Sequence, residues 1–193
     1  DILFYSVDDK GVPLPSVGVP IDPQGKGTDF KDLADPSDDQ QVAIDVPRTW
    51  RFAQELIEVS GGQLQRMFIV EHVRNMLLAE AARVKAPQEI VQRFADITCQ
   101  PEYPHDDHVH IRLYCTPEDM ALGCRDSLPN YPHRVAELAA LGLKPLMAAP
   151  PRASDNKASS ARKTTPEEAK KKAGPMHALV TKFLKQREAW LKR

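Results

Sequence analysis

No run of about 18 or more apolar residues occurs in the 193-residue chain, so its sequence excludes a membrane-spanning helix. It also lacks a positively charged segment leading into a short apolar one, the pattern of a secretion signal. Cysteine is scarce. Cys99, Cys115 and Cys124 are too few for a disulfide scaffold, and none stands in a CxxC pair of the kind that builds structural zinc sites. Cys115 and Cys124 enclose TPEDMALG, a segment rich in helix formers. Their spacing suits a bridge worth about 2.5–3 kcal/mol on the loop-entropy model, in an oxidising compartment, and equally suits two reduced thiols. Residues 1–144 contain neither SxxK nor GxSxG, which removes the common serine-nucleophile signatures.

What is present is enough for one globular domain with a sizeable core and an appendage, at 41% hydrophobic and 27% charged residues. The net charge of −1 conceals an asymmetry. Residues 151–193 hold twelve Lys and Arg against four Asp and Glu, and the remainder holds fourteen against twenty-three. An acidic body therefore carries a basic tail.

Asp1–Val7 alternates as a strand, with Asp1, Leu3 and Tyr5 on one face and Ile2 and Phe4 on the other. It begins in mid-strand, so an N-terminal part is expected to precede it. Lys10–Asp39, rich in Pro, Gly and Asp, reads as a long surface loop with at most one short strand. Pro47–Val59 is predicted helical, with Trp50, Ala53, Leu56 and Ile57 inward, and Gly61-Gly62 ends it. Leu64–Val70 reads as a buried strand, His72–Lys85 as a second helix with Val73, Met76, Leu77, Ala81 and Val84 inward. A third helix begins near Pro87, with Ile90, Val91 and Phe94 inward. Thr98–Pro104 is a loop, and a short helix spans about His133–Leu141. Residues 145–175 have almost nothing large and apolar and read as a linker. Met176–Arg193 returns to helical pattern, with Leu179, Val180, Phe183, Leu184, Trp190 and Leu191 forming a stripe.

The chemistry gathers at His105–His110, the run HDDHVH. Side chains alternate along a strand, so His108, His110, Arg112 and Tyr114 share one face, while Val109, Ile111 and Leu113 share the other and meet the core. Two imidazoles projecting the same way from a rigid strand suit a metal ion, and His105 lies at the loop–strand junction within reach of the same pocket. Asp106 and Asp107 are placed to fix the ring tautomers. An isolated HxH is a weak signal; three histidines in six residues on a regular strand are a stronger one. A catalytic zinc site takes three protein ligands and an open position, so at least one ligand must come from elsewhere. Asp1, at the end of another strand, is a natural candidate. His72 and His133 stand on predicted helices and read as surface or capping residues.

The segment CQPEYPHDDHVHIRLYCTPEDMALGC resembles the histidine-run segment of the penicillin-insensitive murein endopeptidases, part of the wider group of lysostaphin-like, D-Ala-D-Ala and hedgehog-type metallopeptidases. The likeness lies in a His-x-x-His-x-His strand, the following Arg-Leu and two cysteines. It extends to the helix–strand–helix stretch of residues 47–85 and covers roughly residues 1–125. It implies an α+β fold, an antiparallel sheet with helices packed on one face, for a catalytic domain over residues 1–144. It implies zinc as cofactor, with Asp1 and His110 as metal ligands, His108 as base, and His105 or Arg112 stabilising the oxyanion. The family's other metal-binding His lies seven residues ahead of the position matched by Asp1. The implied substrate is the D-alanyl–diaminopimelate cross-link of peptidoglycan, and the implied location the periplasm or cell envelope.

Two other readings share these residues: a D,D-carboxypeptidase or dipeptidase of the same group, and a non-catalytic zinc- or wall-binding module. A third, nucleic-acid binding by the tail, is disfavoured because the basic residues of Lys163–Lys172 have no interleaved aromatics for base stacking. The terminal helix could instead lie on an anionic surface.

Overall fold

Trp50, Ala53 and Ile57 recur at helical spacing, and they form the buried stripe of α1 (Val46–Val59). Its start is fixed by Asp45, whose carboxylate accepts the Arg48 backbone N–H at 3.1 Å, and by Pro47 in the first turn. Residues 1–33, 35–149 and 165–192 are described by a computed structural model, and they fall into two compact units. The first comprises residues 1–29 and 40–148; the second comprises Phe30–Asp39 with residues from Ala149 onward.

The first unit is α+β and holds two sheets. Asp1–Val7, expected as one strand, is two: β1 (Ile2–Leu3) and β2 (Ser6–Val7), in different sheets. Phe4 lies between them and is 2% exposed, so the chain bends into the core where a single strand would have continued. The predicted loop at Lys10–Asp39 contains β3 (Pro13–Leu14) and β4 (Lys26–Asp29), and β5 (Gln40–Ile44) follows it. These build an antiparallel sheet in the order β3-β2-β5-β4. Val19 and Ile21 of the loop are buried against it. Gly27 permits that approach, since a Cβ there would stand 2.6 Å from the Pro20 carbonyl oxygen.

The other sheet runs β1-β8-β6-β7, with β6 at Leu64–Phe68, β7 at Thr98–Cys99 and β8 at His108–Leu113. β6 pairs antiparallel with β8 but parallel with β7, so the sheet is mixed where an antiparallel one was expected. The cause is the connection. α2 (Glu71–Arg83) and α3 (Gln88–Ile97) carry the chain back so that Thr98–Cys99 runs alongside β6 in the same direction. Helices α1, α2 and α3 pack on one face through Trp50, Ile57, Val73, Leu77, Phe94 and Ile97, which join Met67 and Val109 of the strands in one core. Trp50 meets Phe94 edge to face at 5.3 Å. Val84 is exposed rather than inward, because α2 ends one residue before it. Arg66 and Phe68 of β6 point away from that core, and Gln65 is buried apart from it, donating to the Ser127 and Pro129 carbonyls.

Beyond β8 the expected alternation fails. Leu113 is exposed and Tyr114 is 3% exposed, with its hydroxyl donating to the Pro129 carbonyl at 2.9 Å. A register irregularity between Leu64 and Arg66 shifts the pairing there and turns Tyr114 inward. Cys115 and Cys124 form a disulfide around α4 (Pro117–Ala121), which Thr116 and Asp119 cap reciprocally. α5 (Pro132–Ala140) then buries Leu138 and, unforeseen in the sequence, Arg134 at 1% exposure. The Arg134 guanidinium donates to the Cys115 carbonyl and to Glu137 at 3.0 Å, and stands 3.7 Å from Asp126. It lies 5.0 Å from the Tyr114 ring centroid. Asp126 in turn accepts the Cys115 N–H at 2.7 Å, so this ion pair ties the exit of β8 to α5.

In the second unit, α6 (Pro166–Ala173) occupies part of the predicted linker. A capping box between Thr165 and Glu168, Pro166 in the first turn and Lys170–Lys172 in the last supply what hydrophobic content does not. Residues 150–164 of that linker lie outside the described residues. α7 (Ala178–Leu191) is the terminal helix, and Arg187 donates to the Leu33 carbonyl at 2.6 Å. Leu179, Val180 and Leu184 of its stripe are exposed, and the side chains of Trp190 and Leu191 lie outside the described set. Among the described residues, no helix is long and apolar enough to cross a membrane.

Replacing Arg134 by Met leaves the buried Asp126 carboxylate without its cation and is expected to cost about 3–5 kcal/mol in urea denaturation. His133 gives a second expectation. Burial, then the charge of Arg93, hold its imidazole below the usual value of 6.5, although Glu137 and Asp96 pull the other way. The unfolded chain therefore binds the proton more readily, and this contribution to stability is complete above pH 6.5 and is lost as pH falls through the depressed folded value. The stability of the wild type relative to His133→Phe should fall as pH drops below 6.5; parallel curves would count against the burial effect.

Candidate functional site

Two facing registers set the site. In the β6–β8 pair Phe68 lies opposite His110, and Arg66 opposite Arg112; in the β1–β8 pair Leu3 lies opposite His108. With Val109 held in the core at 4% exposure, alternation sends His108, His110 and Arg112 to the opposite face. Asp1, just ahead of β1, reaches the same place. Its carboxylate accepts a hydrogen bond from His110 Nδ1 at 2.7 Å, and the same oxygen lies 3.8 Å from His108 Nε2. The side chains of Asp1 and His110 are 60% and 41% exposed, so the pair is open to a ligand.

The second ring nitrogen of His108 is committed. Asp107 accepts the Nδ1–H at 2.5 Å, which places the lone pair of a neutral ring on Nε2, towards Asp1. Asp107 is held by its neighbours: the Asp106 carbonyl accepts the Ile21 N–H at 2.7 Å, and Gly18 lies beside the Asp107 carboxylate. Part of the long loop thus abuts the histidine run. His72 reinforces it through a 2.7 Å hydrogen bond to the Ile21 carbonyl, a role its helical position did not announce.

His105 Nδ1 bonds to the Tyr103 carbonyl at 3.0 Å, and its ring lies 4.9 Å from that of His108 and 5.9 Å from that of His110. Phe68 packs against His105 and His110 at 5.9 and 5.5 Å, and the Arg112 guanidinium lies 5.1 Å from the Phe68 ring centroid. The structure therefore brings Asp1, His105, His108 and His110 together and sets Arg112 over the Phe68 ring. Tyr114, on the same predicted face, is elsewhere. Asp107 is the member with the most specific contact, and its signal was adjacency to His108. Phe68 and Arg66 had no signal, because cross-strand register is not written in either strand.

Burial, and then the positive charge of Arg112, hold the His110 imidazole below its usual range. A neutral imidazole and a carboxylate are donors of the type zinc accepts. Their 2.7 Å separation is that of a hydrogen bond, however, and a tetrahedral ion with bonds of about 2.0–2.1 Å needs its donors farther apart. Among the described residues no group of three His, Cys, Asp or Glu is arranged to hold a metal ion. Asp1 and His110 are donors of the kind zinc accepts, and they are two where a catalytic zinc site takes three.

Asp107→Asn should release the His108 tautomer. Imidazole nitrogen NMR is expected to show His108 mainly protonated at Nδ1 in the wild type, with the Nε2–H form rising in the variant. An unchanged tautomer ratio would mean that Asp107 does not orient the ring. In comparisons with known proteins, no family model matches the chain, and no curated protein or solved structure matches it.

Proposed function

We propose that this cluster is the zinc-dependent hydrolytic site of a murein endopeptidase acting on the D-alanyl–diaminopimelate cross-links of peptidoglycan, in the periplasm or cell envelope. The observation that carries the reading is the convergence of Asp1, from the start of the chain, on His110 Nδ1 at 2.7 Å, beside a His108 ring already oriented by a carboxylate. The fold proposed with it is of the hedgehog and D-Ala-D-Ala-peptidase kind.

Asp1 and His110 are the residues that would hold the ion. Bound zinc supplies a Lewis acid that polarises a peptide carbonyl and eases deprotonation of water. The chain's own part is acid–base work. His108 receives a proton at Nε2 while Asp107 stabilises the resulting imidazolium at Nδ1, and it then delivers that proton to the leaving amine. His105 is anchored through Nδ1 and, when protonated, donates from Nε2 to the oxyanion. Arg112, the other candidate for that task, lies over the Phe68 ring. The Cys115–Cys124 disulfide supports an oxidising compartment.

The test combines zinc titration with digestion of purified cross-linked muropeptide dimers. His110→Ala is expected to lose zinc binding and hydrolysis together. His108→Ala should keep zinc and lose about 10²–10⁴ in rate, the usual contribution of a positioned base. Release of monomers supports the endopeptidase, whereas loss of terminal D-Ala alone would assign a D,D-carboxypeptidase. Zinc binding without hydrolysis would leave a binding module. If His110→Ala changed neither property, the reading would fall.

A further inference from the structure

Arg66 and Arg112 are directly opposed on β6 and β8, two residue pairs along from Phe68 and His110 and so the next pair on the same face. Like charges in facing positions of an antiparallel pair repel and weaken the sheet, so this pairing works against the fold. Among the described residues neither guanidinium has an ion-pair partner. Arg66 makes a single hydrogen bond, from Nη1 to the Cys99 sulfur at 3.2 Å, and sulfur is a weak acceptor. Arg112 is solvent-exposed and lies 5.1 Å from the Phe68 ring centroid, a contact that positions a guanidinium without neutralising it. Phe68 also touches His105 and His110, so the arginine pair and the histidine cluster are two ends of one surface.

We propose that Arg66 and Arg112 form a carboxylate-binding subsite adjoining the histidine cluster, which takes a free carboxylate carried by the substrate beside the scissile bond. Two planar forks of N–H donors that lack an acid among the described residues are matched by a planar acceptor of opposite charge, and guanidinium–carboxylate recognition is strong when bidentate. A bound carboxylate also removes the repulsion between the two strands. The proposal rests on the peptidase reading and deepens it: selectivity falls on peptides that present a carboxylate, such as the free carboxyl group of a diaminopimelate residue, and against their amides.

The experiment compares cross-linked muropeptide dimers whose diaminopimelate carboxyl groups are free with the same dimers amidated, on the wild type, Arg66→Gln, Arg112→Gln and the double variant. The wild type is expected to favour the free acid by about 10–100-fold in kcat/KM, mostly through KM, and the double variant to lose that preference. In parallel, binding of the free-acid and amidated stem peptides, without cleavage, is measured by calorimetry. If the wild type treats acid and amide alike in both assays, or if the double variant retains the discrimination, the subsite is overturned while the peptidase reading stands. If nothing is hydrolysed but the wild type still binds the acid better and the double variant does not, the peptidase reading falls and the carboxylate subsite stands.

Discussion

The antiparallel pairing of β6 with β8 is the constraint on which the site depends. Because a strand has a period of two, burying Val109 beneath α1–α3 obliges His108 and His110 to point out of the core. A slip of one residue would put the imidazoles into an apolar core and Val109 into water, losing apolar burial and stranding polar nitrogens together. The same register aligns Phe68 beneath the histidines and Arg66 against Arg112. Core packing and site geometry are thus two faces of a single hydrogen-bonded ladder.

Around that ladder the molecule spends polar contacts where the chain turns away from it. At the entry, Asp106 holds Ile21, and Asp107 holds the His108 ring. At the exit, Asp126 and Arg134 clamp Cys115, and the disulfide closes the segment containing α4. A β8 strand so pinned at both ends loses little further freedom when a ligand binds its outer face. The outer side of the sheet gathers three imidazoles, the Asp1 carboxylate and two guanidinium groups that have no acidic partner among the described residues. That is the composition expected of a surface that reacts with or recognises a polar chain.

Much of this was legible along the chain. Helices α1, α2 and α3 announced themselves by apolar spacing, the first also by Pro47 at its start and Gly61-Gly62 after its end. β8 announced itself by alternation. The histidine cluster was visible as a run, and Asp1 as a carboxylate at the beginning of a strand. The misses share a cause. β5, the division of Asp1–Val7 into β1 and β2, and the parallel β7 all depend on partners distant in sequence, and two-residue strands carry no periodicity of their own. Arg134 reads as a surface charge until Asp126 and the Cys115 carbonyl are seen around it. Tyr114 left its predicted face because a ladder irregularity is decided by two strands together.

The HDDHVH run by itself determined which face of β8 would carry nitrogen ligands, since alternation with Val109 between two histidines admits only one outward side. It determined, too, that a carboxylate stood next to His108 to orient it. What only the tertiary structure decided was the company those residues keep. Asp1 meets His110 because β1 pairs beside β8, Phe68 backs the rings because β6 pairs on the other side, and Arg66 joins Arg112 by the same register. Sequence fixes a strand's periodicity locally, whereas a site assembled across three strands exists only once their hydrogen bonds have set the register.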